Sequence, residues 1–318
     1  MPANILLTPR KFANKNIALK IDTTHNTDPV PTGALNWFEA RNVEFTSMDA
    51  ETQDRNIDLG FFGDAGAIIV AQWASIAFDV ALVGSGTAGT APKWAPAMLS
   101  CGTAETIVAV TSAAYNLAST ALKSCTIYIE IDGTLYKLIS CRGNAKATIN
   151  AKGLPMVRFE FMAAFVIPAA GSISGISKTG WPIEDAVNAV NTGFVSINAV
   201  NLAFSKLEYD LGNDLRKINL PGPQLTVDIA DRKPTASVTV LAPALGVFDP
   251  YTLASGGTTV ALTNTHGLVA GKKIKSDLNV QIIGCKEIEI EGMLAYDLSL
   301  KCNPVAAAGN DQIAITNI

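Results

Sequence analysis

The most apolar window of the chain, Gly66 to Gly84 (GAIIVAQWASIAFDVALVG), leaves two foldings open: a membrane-spanning helix or a β-strand. It is long enough to span, but it carries Gln72, Ser75 and Asp79, and a charge near a helix centre costs about 3 kcal/mol or more in a bilayer. Its second half alternates Ile76, Phe78, Val80 and Leu82 with Ala77, Asp79 and Ala81, the period of a half-buried strand. The strand reading holds, and the remainder follows it. Short alternating runs punctuated by Gly, Pro and Asn predict a mainly β chain. The strongest are Ala40 to Thr46, Ile76 to Val83, Cys125 to Ile131, Leu135 to Cys141, Lys146 to Ala151 and Met156 to Phe165. Two stretches read as helical: Pro92 to Cys101, with Gly102 closing it, and a weaker one at Pro182 to Val190.

Little charge is available to cover such a chain. It has 318 residues, of which 48% are hydrophobic and 16% charged, against a typical charged share of about 25%. The length suggests two domains, and so weakly charged a surface is expected to be buried against other protein copies. The first twenty residues mix Arg10, Lys11, Lys15 and Lys20 with several Asn, so no signal peptide is expected and the protein should stay in the cytoplasm that makes it. The five cysteines, Cys101, Cys125, Cys141, Cys285 and Cys302, are scattered and odd in number, as reduced buried thiols are. Only His25 and His266 could join them as zinc ligands, and neither is near a cysteine, so no metal is expected. A net charge of −4 with a pI near 5.3 gives no basic footprint for stable nucleic-acid binding.

The Pro/Ala/Gly/Ser-rich segment Pro168 to Pro182 reads as a linker and divides the chain near its middle. The halves overlay. Gly33 to Phe45 lies over Gly193 to Phe204, with Asn42 on Asn201 and Phe45 on Phe204; Ala147 to Phe161 lies over Lys286 to Leu300, with Gly153 on Gly292, Phe159 on Leu298 and Phe161 on Leu300. The offset shortens by about 20 residues between the two overlays, close to the length of Ala88 to Thr106. The second half is therefore expected to copy the first without its helix. The predicted units are residues 1–170, with a helix near 92–101, and residues 171–318, without one.

Chemical motifs are weak. Gly84, Gly86 and Gly89 match G-x-G-x-x-G between a strand and a helix, which keeps a nucleotide-binding module or an enzyme as the competing class. No acid closes a second strand about twenty residues on, Pro92 occupies helix interior, and the preceding strand alternates, so a strand-to-helix turn without cofactor is the better reading. His266 to Lys273 misses the phosphate-loop spacing, and no nucleophile stands beside a histidine and an acid. Glu287, Glu289 and Glu291 recur at alternate positions, hence on one strand face, and read as a negatively coated surface.

One stretch is more specific. GSGTAGTAPKWAPAMLSCGTAETI (Gly84 to Ile107), with Gly84, Gly86, Gly89, Pro92, Trp94, Cys101 and Gly102, resembles the turn and helix of tail tube proteins from long-tailed, non-contractile bacteriophages. Tyr128 to Phe165 is similar to a later block of that family. The resemblance implies a β-sandwich with a short flanking helix, duplicated in tandem, whose sheets form a continuous inner β-barrel within a ring. It implies a structural virion protein and no enzyme: rings stack into the hollow tail tube, and phage DNA passes through it without stable binding. Two such units per chain make three copies per ring the favoured count, with six if the second half is an accessory. Tape-measure, tail-terminator and distal tail proteins are the implied partners, and the virion tail the implied location. On this reading Glu287, Glu289 and Glu291 line the channel and repel DNA. The loops Ser47 to Ala74 and Ser205 to Pro234 reach the next ring, the first through Asp49, Glu51, Asp54, Arg55 and Asp58.

Overall fold

Alternation in the sequence becomes an antiparallel network of strands in the computed structural model, which describes residues 9–222 and 224–318. The first eight residues, part of the stretch expected to hold no signal peptide, lie outside the described residues. The first half runs β1 (Lys15–Ile21), α1 (Gly33–Asn36), β2 (Arg41–Asp54), β3 (Ala67–Ala81), α2 (Ala95–Leu99), β4 (Thr103–Val108), β5 (Ser112–Leu117), β6 (Cys125–Ile131), β7 (Thr134–Asn150), β8 (Met156–Ala164) and β9 (Ala169–Ala170). The second half runs β10 (Val195–Ile197), β11 (Val200–Leu202), β12 (Phe204–Asp210), β13 (Asn213–Leu220), β14 (Gln224–Arg232), β15 (Thr235–Leu241), α3 (Pro250–Ser255), β16 (Thr259–His266), β17 (Ile274–Ile290), β18 (Met293–Cys302) and β19 (Ile313–Asn317).

Turn chemistry fixes the ladders. Asp132 and Gly133 (φ 44° and 81°) close the β6–β7 hairpin in two residues, and Glu291 and Gly292 (φ 50° and 82°) close β17–β18 in the same way. Both pairs adopt the positive dihedrals that match strand twist. The two runs predicted as separate strands, Leu135 to Cys141 and Lys146 to Ala151, are parts of the single strand β7, because the residues between them bulge without breaking it. At that bulge, near Ser140, β7 passes from pairing with β6 to pairing with β8; β17 changes partner likewise, taking up β18 from Val280 and leaving β16 after Gln281, with its bulge just beyond, between Ile282 and Gly284.

The same pairing order recurs in the two halves. It is β2-β3-β8-β7-β6-β1 in the first and β12-β15-β18-β17-β16-β10 in the second. The halves join where β7 pairs with β12, which makes one ladder β2-β3-β8-β7-β12-β15-β18-β17. A second seam is β19, which lies between β17 and β5. One hydrophobic cluster, from Ile17 through Phe78, Phe159, Val238 and Leu298 to Ile315, runs through both halves.

Four expectations are corrected. The second half does carry a helix: α3 lies between β15 and β16, where α2 lies between β3 and the β4–β5 hairpin, and it is capped by Asp249, whose carboxylate accepts from the Tyr251 and Thr252 amides. What the second half lacks is the β4–β5 hairpin, and this accounts for the shortened offset. Pro182 to Val190 is irregular, since the Asn188 side chain takes the Val190 and Asn191 amides and stops a helix there. The segment after 170 is no free linker: Ile173 is buried with Ala18 and Tyr128, and Trp181 packs edge-on against Phe38 at 5.2 Å, so the chain to Glu184 straps the first half. Finally, once Phe161 is matched with Leu300, Phe45 answers to Tyr209 and not to Phe204, because Phe45 pairs with Ile76 beside Phe161 while Tyr209 pairs with Ala236 beside Leu300.

Candidate assembly interface

The eight-strand ladder has two unlike faces. Ile76, Phe78, Phe159, Phe161, Ala147, Tyr209, Val238 and Leu298 are buried on one, under α2, α3 and the remaining strands. The other carries charges of both signs on neighbouring strands. Arg158 holds Glu44 at 2.7 Å and Asp79 at 3.4 Å, and Glu208 takes Lys206 at 3.0 Å and Lys146 at 3.6 Å. Burial by the protein itself explains the first face; on the second, the β13–β14 hairpin covers Ala71 and Trp73 at one end, and among the described residues the charged row beyond stays open.

The ladder also stops without closing. β2 pairs only with β3, and Gly284 to Ile290 of β17 pair only with β18, so among the described residues each end presents an unpaired row of backbone amides and carbonyls. Such an edge is a template for another strand. The internal joint displays how an edge of this kind is filled: Lys206 faces Asn150, Leu207 Ile149, Glu208 Thr148, Tyr209 Ala147 and Asp210 Lys146, antiparallel and without a bulge. The turn after β7 is seated too, with the Ala151 amide donating to the Ser205 carbonyl at 2.8 Å and the Lys152 amide to Val187 at 2.9 Å.

The predicted lumen residues do not share one strand face. Glu287 pairs with Tyr296 on the apolar side and accepts a 2.7 Å bond from the Tyr251 hydroxyl of α3, a bond that raises the tyrosine's pKa. Glu289 follows it on that side, opposite Leu294. Glu291 has left the strand for the turn, where Lys152 binds it at 2.8 Å and holds its carboxyl below the usual range. Alternation ends where the hairpin turns, which is why a run of spaced glutamates misled. The residues on the open face near this edge are Lys286 and Ile288.

Of the predicted inter-ring residues, Asp49, Glu51 and Asp54 belong to β2 itself. Asp49 meets Lys217 of the β13–β14 hairpin at 3.2 Å, and Glu51 accepts from the Trp73 indole at 2.8 Å. Arg55 and Asp58 stand at the irregular tip that follows, beside the exposed Ile57, Phe61 and Phe62. The Ser205 to Pro234 segment does not project in the same way, because β13–β14 folds back on the first half and Val227 closes over Ala71 and Trp73.

The glycine turn is filled by the chain's own backbone. The Gly84 amide donates to Lys272 at 3.3 Å and the Gly86 amide to Gly271 at 3.0 Å; a Cβ on Gly84 would stand 2.1 Å from the Gly271 carbonyl oxygen. Gly89 (φ 69°) presses against Val110 of the β4–β5 hairpin. Pro92 takes the Ala95 amide, Trp94 is buried with its indole on the Val83 carbonyl at 2.8 Å, and Cys101 and Gly102 end α2 in the core. The amides that a phosphate needs are thus spent on the second half. Among the described residues no group of three or more His, Cys, Asp or Glu could hold a metal, and no helix is long and apolar enough to cross a membrane.

Sequence reasoning missed the seam. Asn213 donates to the Cys101 and Gly143 carbonyls at 2.7 and 2.9 Å, and Arg232 to the Gly102 carbonyl at 2.7 Å, so the second half caps the helix of the first. His25 bridges Ser124 at 3.1 Å and Thr226 of β14 at 2.7 Å. These are isolated polar residues in sequence, and only the hairpin's fold-back brings them to their partners. Neither a protein-family model nor a curated protein matches this chain.

Proposed function

We propose that this chain is a structural protein that adds to copies of itself head to tail, closes into rings, and stacks them into a hollow tube of the bacteriophage tail type. The observation that carries the reading is the pair of open edges. The two strands left unpaired, β2 and β17, stand in their halves where β12 and β7 stand in theirs, and those two already pair with one another. A joint that exists once inside the chain is repeated between chains. Repetition by a fixed rotation gives a ring if it closes.

The recurring ladder order supports a tandem duplication, and two units per chain make a threefold ring the economical closure. The polar face of the ladder then becomes the bore. Its mix of Glu44, Asp79 and Glu208 with Lys146, Arg158 and Lys206 gives DNA no basic track to adhere to. Burial of both edges and of the projecting apolar tip explains the small share of charge in the chain. The resemblance of Gly84 to Ile107 to tail tube proteins points the same way. No observation favours the nucleotide-binding alternative, since the loop that suggested it is occupied by Gly271 and Lys272.

Negative-stain microscopy of the purified chain over a concentration series is the test. Uniform tubes or rings are expected; a chain that stays monomeric by sedimentation at the highest concentration overturns the proposal.

A further inference from the structure

We propose that the joint between copies repeats the internal joint residue for residue, with Lys286 of one copy paired to Glu44 of the next. The inference rests on the head-to-tail reading above and deepens it to a register. Phe159 and Leu298 hold corresponding places in β8 and β18, so Arg158 corresponds to Asp297. Their partners across the hairpins, Lys146 and Lys286, then correspond as well. On the other side, Glu208 faces Ser237 and Glu44 faces Ala77, and these in turn face Ser299 and Glu160, the residues that precede the matched Leu300 and Phe161. The internal joint has a lysine and a glutamate at these two places, and they bind each other: Lys146 reaches Glu208 at 3.6 Å, diagonally across the pair Glu208 and Thr148. The open edges carry the same two residue types at the same two places.

The single chain leaves both groups ready for this use. Lys286 has no ion pair among the described residues, and Glu44 meets Arg158 through Oε2 alone. Both lie on the polar face of the ladder, so the pairing keeps the apolar face continuous. Transferring the internal register puts Lys286 opposite Thr46 and Ile288 opposite Glu44 of the next copy; the pair beyond, Asn150 with Lys206 inside the chain, becomes Ile290 with Arg41, because β2 bulges between Arg41 and Glu44. Phe45 and Val43 then fall beside Glu287 and Glu289, which makes these glutamates residues of the joint and not of the channel wall.

The start of β2 provides a seat for the turn that follows. A groove of 550 Å³, lined by Lys15, Asn16, Trp37, Phe38, Asn42 and Val43 among others, flanks it. In the second half, the turn after β7 sits against the start of β12 in just this relation, through the Ala151 to Ser205 bond. The occupant assigned to the groove is the β17–β18 turn of a second copy, with the exposed Met293 and Leu294 that follow it.

Charge reversal and cross-linking test the register. Lys286→Glu and Glu44→Lys each place like charges at the joint and are expected to raise the concentration for half-assembly about tenfold. The double variant restores opposite charges at every joint and is expected to return most of that loss. Single variants that assemble like the parent, or a folded double variant no better than either single, overturn the pairing. Independently, Arg41→Cys with Ile290→Cys is expected to give covalent head-to-tail multimers on oxidation with copper phenanthroline, whereas each single cysteine variant gives none. Equal yield from Arg41→Cys with Glu289→Cys, one residue out of register, overturns the assignment. The two proposals fail separately: covalent multimers that never stack leave the register standing and remove the tube, while tubes without the cross-link do the reverse.

Discussion

His25 works at the seam between the halves as a neutral ring, with Ser124 on one nitrogen, Thr226 on the other, and Asp22, Asp228 and Arg142 around it. Burial, then the Arg142 charge, holds its pKa below the ordinary value, and burial does the same to His266 beside Thr192. A lowered folded pKa means that the unfolded chain takes up the proton first. The stability these rings contribute is therefore present above about pH 6.5 and is lost as pH falls through that value toward the folded pKa. Thermal unfolding followed from pH 7.5 to 5.5 is expected to show a falling Tm, and His25→Gln to flatten part of that slope. A Tm that rises on acidification over this range contradicts the assignment. Single residues of this kind were the least legible in the sequence. Trp94 could be placed at the start of a helix and Cys101 and Gly102 at its end because helix starts and stops have local signatures, and α2 lies between them, though it runs only from Ala95 to Leu99 and not from Pro92 to Cys101. The roles of His25, Asn213 and Arg232 could not, because each acts on a residue about a hundred positions or more away. Glu291 shows the converse error, a local pattern extended one residue past the end of its strand.

At the scale of elements, the apolar window that first excluded a membrane helix became β3, and the strands on either side of the Asp132-Gly133 turn stood where alternation put them. Helix α3 went unread although Asp249 followed by Pro250 is a start signal, because six residues are too few for an apolar period to register. The element of most consequence is the distal β2–β3 hairpin. Met48, Ile68, Ile69 and Val70 are exposed along it, and Ile57, Phe61 and Phe62 at its tip, a concentration of apolar surface that a lone chain has no use for. The corresponding β13–β14 hairpin buries Val227 on the first half instead. If rings stack as proposed, the apolar tip joins the acids of β2 as the expected contact surface. Replacing residues 57–62 with a short Gly/Ser turn is expected to leave a folded chain that still forms rings but no longer stacks them. Sedimentation and microscopy separate these outcomes, and stacks of normal length from the shortened chain rule out this role for the hairpin.

At the scale of the whole molecule, the two halves are alike inside and unlike outside. Each contributes four strands to the long ladder, but only the first inserts the β4–β5 hairpin, and β19 then runs beside it to tie β17 across the chain. The joint within a chain is thus held at two places, β7 with β12 and β5 with β19, whereas a joint between chains has only the counterpart of the first, since β16 follows α3 with no hairpin between them. A ring built this way alternates doubly and singly held joints. Dissociation by mild denaturant is therefore expected to yield whole chains long before the halves part, and averaged end views of the rings carry the same alternation as shape. The inner wall, made of eight strands from each of three copies, is expected to look nearly sixfold, while the outer contour, marked once per chain by the β4–β5 hairpin with its exposed Ile107, Val108 and Val110, is threefold. A sixfold outer contour places six chains in the ring and removes the equivalence of the two halves on which the threefold closure depends.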